Sequence, residues 1–240
     1  MKVSQELESR MHPDAIAGFR LVLAEARVND TILLPERAMH RMVGHVQWIL
    51  RRVGADGIRL TDAGYLPPVD VLAATSELDW GWSMTVNREV HLLPLQEMRD
   101  HLRRVGLLRV SKGRLLLTSR GRALAENPRE LWWHLARTIH TGRSPEEADA
   151  ISLLLVLIAR RGFTDAALFE KALALGLETI GWGQKNGERL SPGAAFQIVA
   201  AKWRLLNNLG VFDQNPRDHL HWTITPGGAA FARAALQTEV

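Results

Sequence analysis

Between Arg103 and Arg122 the chain carries Arg103, Arg104, Arg109, Lys112, Arg114, Arg120 and Arg122, and no acidic residue. Cationic side chains gathered in this way neutralise phosphates. They supply affinity for a nucleic-acid backbone but no reading of base sequence. Base reading needs side chains on a helix that enters the major groove, where a bidentate arginine recognises guanine. Arg99, with Arg103 and Arg104, stands on the helical stretch that leads into the basic run, although Glu97 and Asp100 share that stretch and oppose phosphate. A second set lies about 100 residues later: Lys202 and Arg204 beside Gln197, Asn207 and Asn208, then Arg217 between Asp213 and Asp218. The candidate nucleic-acid contacts are therefore Arg99, Arg103, Arg104, Arg109, Lys112, Arg114, Arg120, Lys202, Arg204 and Arg217.

Other chemistry has little to stand on. His219 and His221 share one face of an extended segment, but no third metal ligand follows, and His40 and His45 do not share a helical face. The chain has no H-E-x-x-H, no phosphate-binding glycine loop and no nucleophile elbow. It has no cysteine, hence neither a thiolate metal site nor a disulfide framework. The expectation is a protein that is not an enzyme and holds neither metal nor cofactor. Trp80, Trp82 and Trp182 are candidates for stacking on single-stranded bases, but tryptophans at loop–helix junctions are more often packing plugs. Trp132 and Trp133 are neighbours on a helix and cannot both face one core, so one of them is a candidate contact for a partner or for the other repeat.

Ahead of the basic run, Leu95, Met98, Leu102 and Val105 recur at three- and four-residue steps, the spacing of a buried helical face. Gly106 suits the left-handed stop of that helix. Leu107 to Val110 and Arg114 to Thr118 read as two short strands, joined by a turn over Ser111-Lys112-Gly113. Thr118 or Ser119 can cap the helix that follows. The same order recurs downstream, where Gly210 answers to Gly106, Thr225 to Thr118 and Gly228 to Gly121, at offsets of 104, 107 and 107. Thr61-Asp62-Ala63 against Thr164-Asp165-Ala166, Trp80 against Trp182, and Pro94 against Pro192 extend the series at offsets of 103, 102 and 98. Six landmarks in one order with a near-constant offset indicate an internal duplication.

The fold expected is mainly α (α+β): two tandem winged-helix domains, residues 34–140 and 141–240, preceded by an N-terminal helical segment over 1–33. The first copy should hold helices over Pro35–Val53 and from Pro67-Pro68 to about Leu78, with Thr61 or Asp62 as a cap. A Trp-containing loop, the helix and hairpin described above, and a helix from Pro128 to about Ile139 follow. The second copy should open on a capping box, Ser144-Pro-Glu-Glu147, with a buried helix to Arg161. A helix over Thr164–Leu175 stopped by Gly176, one from Ser191-Pro192 to about Leu209, a hairpin and a last helix from Pro226 complete it.

The 240 residues are 46% hydrophobic and 23% charged, with a formal net charge of +4. That excess is mild, so placement of charge matters more than its total. The N-terminus lacks the apolar run of a signal peptide. The longest apolar run, Leu153 to Ala159, is far short of the roughly 20 residues that span a bilayer. A cytoplasmic protein without membrane contact is expected.

Leu60-Thr-Asp-Ala-Gly-Tyr-Leu-Pro-Pro68, Asn87-Arg88-Glu89, the segment Leu102 to Leu124 and the segment Asn127 to Leu135 together resemble an uncharacterised bacterial family whose pattern begins with L-T-x-A-G-Y-L-P-P. The resemblance covers roughly residues 45–136. Its module is sometimes attached to a plasmid-type open-reading-frame-three-like domain, which this chain does not show. The second copy departs from the pattern, since Thr164-Asp-Ala-Ala-Leu-Phe lacks the Gly-Tyr-Leu-Pro-Pro part. The resemblance implies a fold and leaves activity open. The function expected from the residues is binding of double-stranded DNA, in a transcriptional or plasmid/chromosome-maintenance role, through the third helix and basic wing of the first copy. The alternative is a non-enzymatic protein-assembly scaffold with a protein partner. Either would be a monomer with an internal pseudo-repeat or a homodimer.

Overall fold

The computed structural model describes residues 2–80, 85–142, 144–163, 165–183, 188–215 and 218–239, with the backbone alone over 214–221. Among the described residues the chain is mainly helical, with eleven α-helices and two small antiparallel sheets. It divides into two compact units, Glu36–Trp132 and the combination of Met1–Pro35 with Trp133–Val240.

The unit Glu36–Trp132 opens with α3 (Glu36–Val53), which follows α1 (Val3–Ser9) and α2 (Pro13–Glu25) of the other unit. Met39, Met42, Val46, Ile49 and Val53 are buried along one stripe, as their spacing requires. Gly54, at φ +57, ends the helix. β1 (Ile58–Arg59) follows, and then α4 (Pro68–Glu77). Contrary to expectation, neither Thr61 nor Asp62 caps α4; its N-cap is Pro67. Thr61 Oγ1 instead accepts the N–H of Tyr65 at 3.1 Å, closing a turn that includes Gly64 at φ +80. A short 3-10 helix (Glu89–His91) precedes α5 (Leu93–Arg104). β2 (Leu108–Ser111) and β3 (Arg114–Leu117) form the hairpin, α6 (Ser119–Ala125) follows, and α7 begins at Pro128 and runs to Thr138. The sheet order is β1-β3-β2, all antiparallel, with Ile58 opposite Leu115 and Leu108 opposite Leu117. Leu95, Met98 and Leu102 of α5, Leu108, Leu115 and Leu117 of the hairpin, and Trp132 form the core with α3.

The junction of α5, hairpin and α6 is built around three residues. Gly106 sits at φ +74 and the N–H of Leu107 bonds to Leu102 O at 2.9 Å, ending the helix. Thr118 Oγ1 donates to Gly106 O at 2.7 Å and accepts the N–H of Gly121 at 2.9 Å, so one hydroxyl closes the hairpin and caps α6. Gly121 approaches the Leu107 carbonyl so closely that a Cβ would lie 2.1 Å from the oxygen.

The other unit repeats this junction. Here α8 (Pro145–Arg160), α9 (Ala166–Thr179), α10 (Pro192–Asn208), β4 (Phe212–Asn215), β5 (Asp218–Ile224) and α11 (Pro226–Leu236) follow one another. Gly210 is at φ +71, Val211 N–H bonds to Leu206 O, and Thr225 Oγ1 donates to Gly210 O at 3.0 Å and accepts Gly228 N–H at 2.9 Å. A Cβ on Gly228 would lie 2.4 Å from Val211 O. Helix α8 is the centre of the unit, buried continuously from Asp149 to Ala159 and capped by Ser144, whose Oγ accepts Glu147 N–H at 3.1 Å. Asp165 caps α9 through Leu168 N–H. Gly176 does not end α9 as expected. It lies inside the helix against Leu153, where a Cβ would come within 3.0 Å of that side chain, so its role is close helix packing. Aromatic rings fill the space between α9, α10 and the hairpin, with Trp203 stacked on Phe212 at 3.9 Å and Phe169 edge-on to Trp203 and Trp222.

The N-terminal segment, expected to stand outside both copies, is knitted into this unit. α1 (Val3–Ser9) buries Val3 and Leu7, and α2 (Pro13–Glu25) buries Phe19. Val3 N–H bonds to Thr238 O, Arg10 forms a two-pronged ion pair with the buried Asp149, Glu25 pairs with Arg160 at 2.6 Å, and Gln237 Nε2 donates to the carbonyls of Val28 and Asp30. Asp149 also accepts the Nε1 proton of Trp182 at 2.7 Å. Trp80, its proposed counterpart, donates to Ala74 O at 2.9 Å, while Trp82 lies outside the described residues.

Three substitutions check this architecture by urea unfolding. Ser144→Ala should cost about 1 kcal/mol, the usual worth of an N-cap. Leu155→Ala, at a fully buried position, should cost roughly 2–5 kcal/mol. Gly121→Ala should cost at least about 1–3 kcal/mol, the range of overpacked sites, because its neighbour is backbone and cannot turn aside.

Candidate nucleic-acid interface

The surface of the unit Glu36–Trp132 is set by what lies beneath it. Glu89, at the start of the 3-10 helix, is 1% exposed. Its Oε2 accepts the N–H of Leu66 at 2.7 Å and lies 3.1 Å from Arg99 Nη1. Arg99 Nη1 also donates to Gly64 O at 3.1 Å. The pair fastens the turn over 61–66 and the 3-10 helix to the middle of α5. Burial pushes the Glu89 carboxyl above its ordinary value; the Leu66 N–H and Arg99 oppose the rise, and Asp100 adds to it.

This overturns the expectation that Arg99 meets base edges. Its side chain is 6% exposed and turned inward. The spacing carried a signal: Arg99 lies four residues after Leu95 and three before Leu102, on the buried stripe. The outer side of α5 presents Leu93, Asp100, Arg103 and Arg104, and Arg103 pairs with Asp100 at 3.4 Å.

The hairpin sorts its residues by the two-residue period of a strand. Leu108, Leu115 and Leu117 face the core, and the opposite face carries Arg109, Ser111, Arg114 and Leu116. β1 adds Arg59 to that outer face, directly across from Arg114. Sequence reasoning missed Arg59, because a two-residue strand has no period of its own and its partner lies more than 50 residues away. Arg114 is only half-exposed, and its Nη2 donates to the carbonyls of Asp56 and Gly57 at 2.6 and 3.0 Å, so it braces the turn before β1. Lys112 and Gly113 form the tip with φ +49 and +71, the two-residue turn that matches strand twist. A lysine at positive φ is uncommon, and here it holds an exposed ammonium at the hairpin's end. Arg104, Arg109, Arg120 and Arg122 are exposed as well.

The unit Glu36–Trp132 contains fifteen of the 30 Lys and Arg and eleven of the 26 Asp and Glu, so the whole formal excess of +4 lies within it. The other unit is balanced, and its candidates fare differently. Lys202 is 3% exposed, and its ammonium donates to Thr141 O at 3.4 Å; the expected contact with DNA is corrected to an internal tie. It too sat on a buried stripe, three residues after Val199 and four before Leu206. Burial, and secondarily the Lys202 charge, lowers the pKa of His140. Arg204 is exposed, and Arg217 lies outside the described residues, as do the side chains of His219 and His221. Among the described residues, no three His, Asp or Glu side chains gather as metal ligands would, and no helix is long and apolar enough to cross a membrane.

Residues 38–130 match the family model described as the Y4jL N-terminal domain. The match nearly coincides with the compact unit Glu36–Trp132 and supports the likeness to an uncharacterised bacterial family. No curated protein and no solved structure is significantly similar to the chain.

Arg99→Ala tests the buried pair. It removes one partner of the buried Glu89 carboxyl and should cost about 3–5 kcal/mol at neutral pH, the range for breaking a buried pair from one side. The sign with pH follows from the carboxyl. Its folded pKa is already raised and rises further without Arg99, so the folded state takes up a proton first as pH falls. The deficit against wild type should therefore shrink as pH drops from neutral toward the ordinary glutamate value of 4.5. Urea unfolding across that range reads it out; a deficit that grows with acid would contradict the assignment.

Proposed function

We propose that the protein is a non-enzymatic, cytoplasmic DNA-binding protein built of two diverged winged-helix copies, residues 34–140 and 141–240. The first copy holds double-stranded DNA by its phosphates, in a transcriptional or plasmid/chromosome-maintenance role. The observation that carries the reading is the exposed set Arg104, Arg109, Lys112, Arg120 and Arg122, in a stretch without an acid and in the unit that holds the chain's entire charge excess. Element order supports the winged-helix part: helix, short strand, two helices, then a hairpin whose second strand pairs with the first strand. With Arg99 inward and Asp100 on the outer side of α5, the contacts favoured are to backbone rather than to bases. Arg59 joins the sheet-face contribution, and copy two contributes less, with Arg204 as its exposed cation among the described candidates.

A second reading, a scaffold for protein assembly, draws on a different observation. Val69 and Leu72, three apart on α4, are 63% and 41% exposed, and Leu93 at the start of α5 is 44% exposed. Exposed apolar side chains on α4 and at the start of α5 suit a protein partner better than phosphate.

Binding to duplex DNA at several salt concentrations separates the two. The double variant Arg109→Ala with Lys112→Asn should reduce the slope of log affinity against log salt by about 2, near 0.9 per phosphate contact, and should weaken all sequences alike. Lys112→Asn alone should keep or slightly raise stability, since asparagine tolerates positive φ. No binding at low salt would end the DNA reading and leave the scaffold.

A further inference from the structure

Helices α2 and α9 both lie against α8, and between them part of α8 is left as the floor of a groove. The groove has a volume of about 370 Å³, with Val156 and Leu157 as floor, Ala15 and Gly18 of α2 on one wall and Leu175 of α9 on the other. This is the lower end of the size range of small-molecule sites, roughly 300–1,000 Å³.

Two features distinguish it from an incidental gap. Gly18 stands in the interior of α2, where glycine weakens a helix relative to alanine, yet a Cβ built on it meets nothing within 4 Å. No neighbour within the fold demands glycine there, in contrast to Gly176 against Leu153, and a larger side chain at this lining position would have open space to enter. The second feature is Arg160, the one charged side chain in the lining. Its Nε donates to Glu25 at 2.6 Å, its guanidinium lies 5.7 Å from the Phe163 ring centre, and its side chain is 39% exposed. Nε makes its one hydrogen bond among the described residues, which leaves the terminal amino groups to meet an anion. A guanidinium fork is matched by a carboxylate.

We propose that this groove binds a small amphipathic carboxylate, an aliphatic or aromatic acid of medium length. Its apolar body lies over Val156 and Leu157 beside Gly18, and its carboxylate meets Arg160. The proposal does not depend on DNA binding; if both hold, the acid is a candidate effector.

The test uses the full chain and 1-anilinonaphthalene-8-sulfonate fluorescence, with decanoate and decanol as competitors. Wild type should bind the probe at one site, and decanoate should displace it at least tenfold more effectively than decanol. Gly18→Leu should weaken probe and decanoate tenfold or more while far-UV circular dichroism stays unchanged. Ala15→Leu, on the same wall, repeats the test should Gly18→Leu fail to fold. Arg160→Gln should abolish the preference for decanoate over decanol and keep decanol binding. Unaltered binding in both filling variants, equal competition by decanol and decanoate in wild type, or no displacement at all would overturn the proposal. A wild-type dimer in sedimentation that Gly18→Leu dissociates and decanoate leaves intact would also overturn it, assigning the groove to a second copy of the chain.

Discussion

The buried pair of Glu89 and Arg99 is the constraint from which the surface of the unit Glu36–Trp132 follows. Two charges taken out of water are costly unless geometry and further hydrogen bonds compensate them. Part of the compensation comes from the backbone of one turn: Gly64 offers its carbonyl to the arginine and Leu66 its N–H to the glutamate, while Glu89 Oε1 and Arg99 Nε are buried without a hydrogen bond among the described residues. The two motifs that resemble the bacterial family, Leu60 to Pro68 and Asn87-Arg88-Glu89, are thus the two sides of one contact. With Arg99 held inside, the orientation of α5 about its own axis is fixed. Asp100 and Arg103 then come to the outer side as a pair, and the unpaired positive charge is left to the end of α5, the hairpin and α6.

A helix must stop, the chain must turn into a strand, and another helix must start under it. Both units meet this problem with a glycine at positive φ, a threonine that bonds in both directions, and a glycine three residues later lying on a carbonyl oxygen. The chemistry is the same in detail, which supports the proposed duplication more strongly than element order does. What surrounds the junction differs between the units. The first hairpin is joined by β1, whereas the second sheet is two-stranded among the described residues. The first unit carries the net charge, and the second has an aromatic cluster around Trp203.

Much of this was legible in the residues. Apolar spacing located the buried face of α5, and serine, threonine and proline marked the starts of α6, α8, α10 and α11. These are local signals, decided within a turn or two of helix. The errors arose where a distant partner decides. Arginine and lysine are rarely buried, yet Arg99 and Lys202 each lie on an apolar stripe and find their oxygen partners elsewhere in the chain. Gly176 reads locally as a helix stop, since nothing near it in sequence reveals Leu153 across the interface. Arg59 went unnoticed because its place on the sheet depends on pairing with β3. The candidate site was therefore legible as composition and only partly as geometry.

The unit that contains α8 is discontinuous in the chain: its first 35 residues are separated from the rest by all of Glu36–Trp132. The bridge between Lys2 and Glu239 and the bond from Val3 to Thr238 join its two extremes. Synthesis on the ribosome is vectorial, at about 5–20 residues per second. The residues of the intervening unit are all synthesised while α1 and α2 still wait for their partners. Their apolar faces stay uncovered until α8 has emerged, an interval of several seconds at that rate, and the last backbone bonds close only once residue 239 is free. Order of synthesis and order of contact therefore differ along this chain: the residues that cover α1 and α2 are made only after the whole intervening unit.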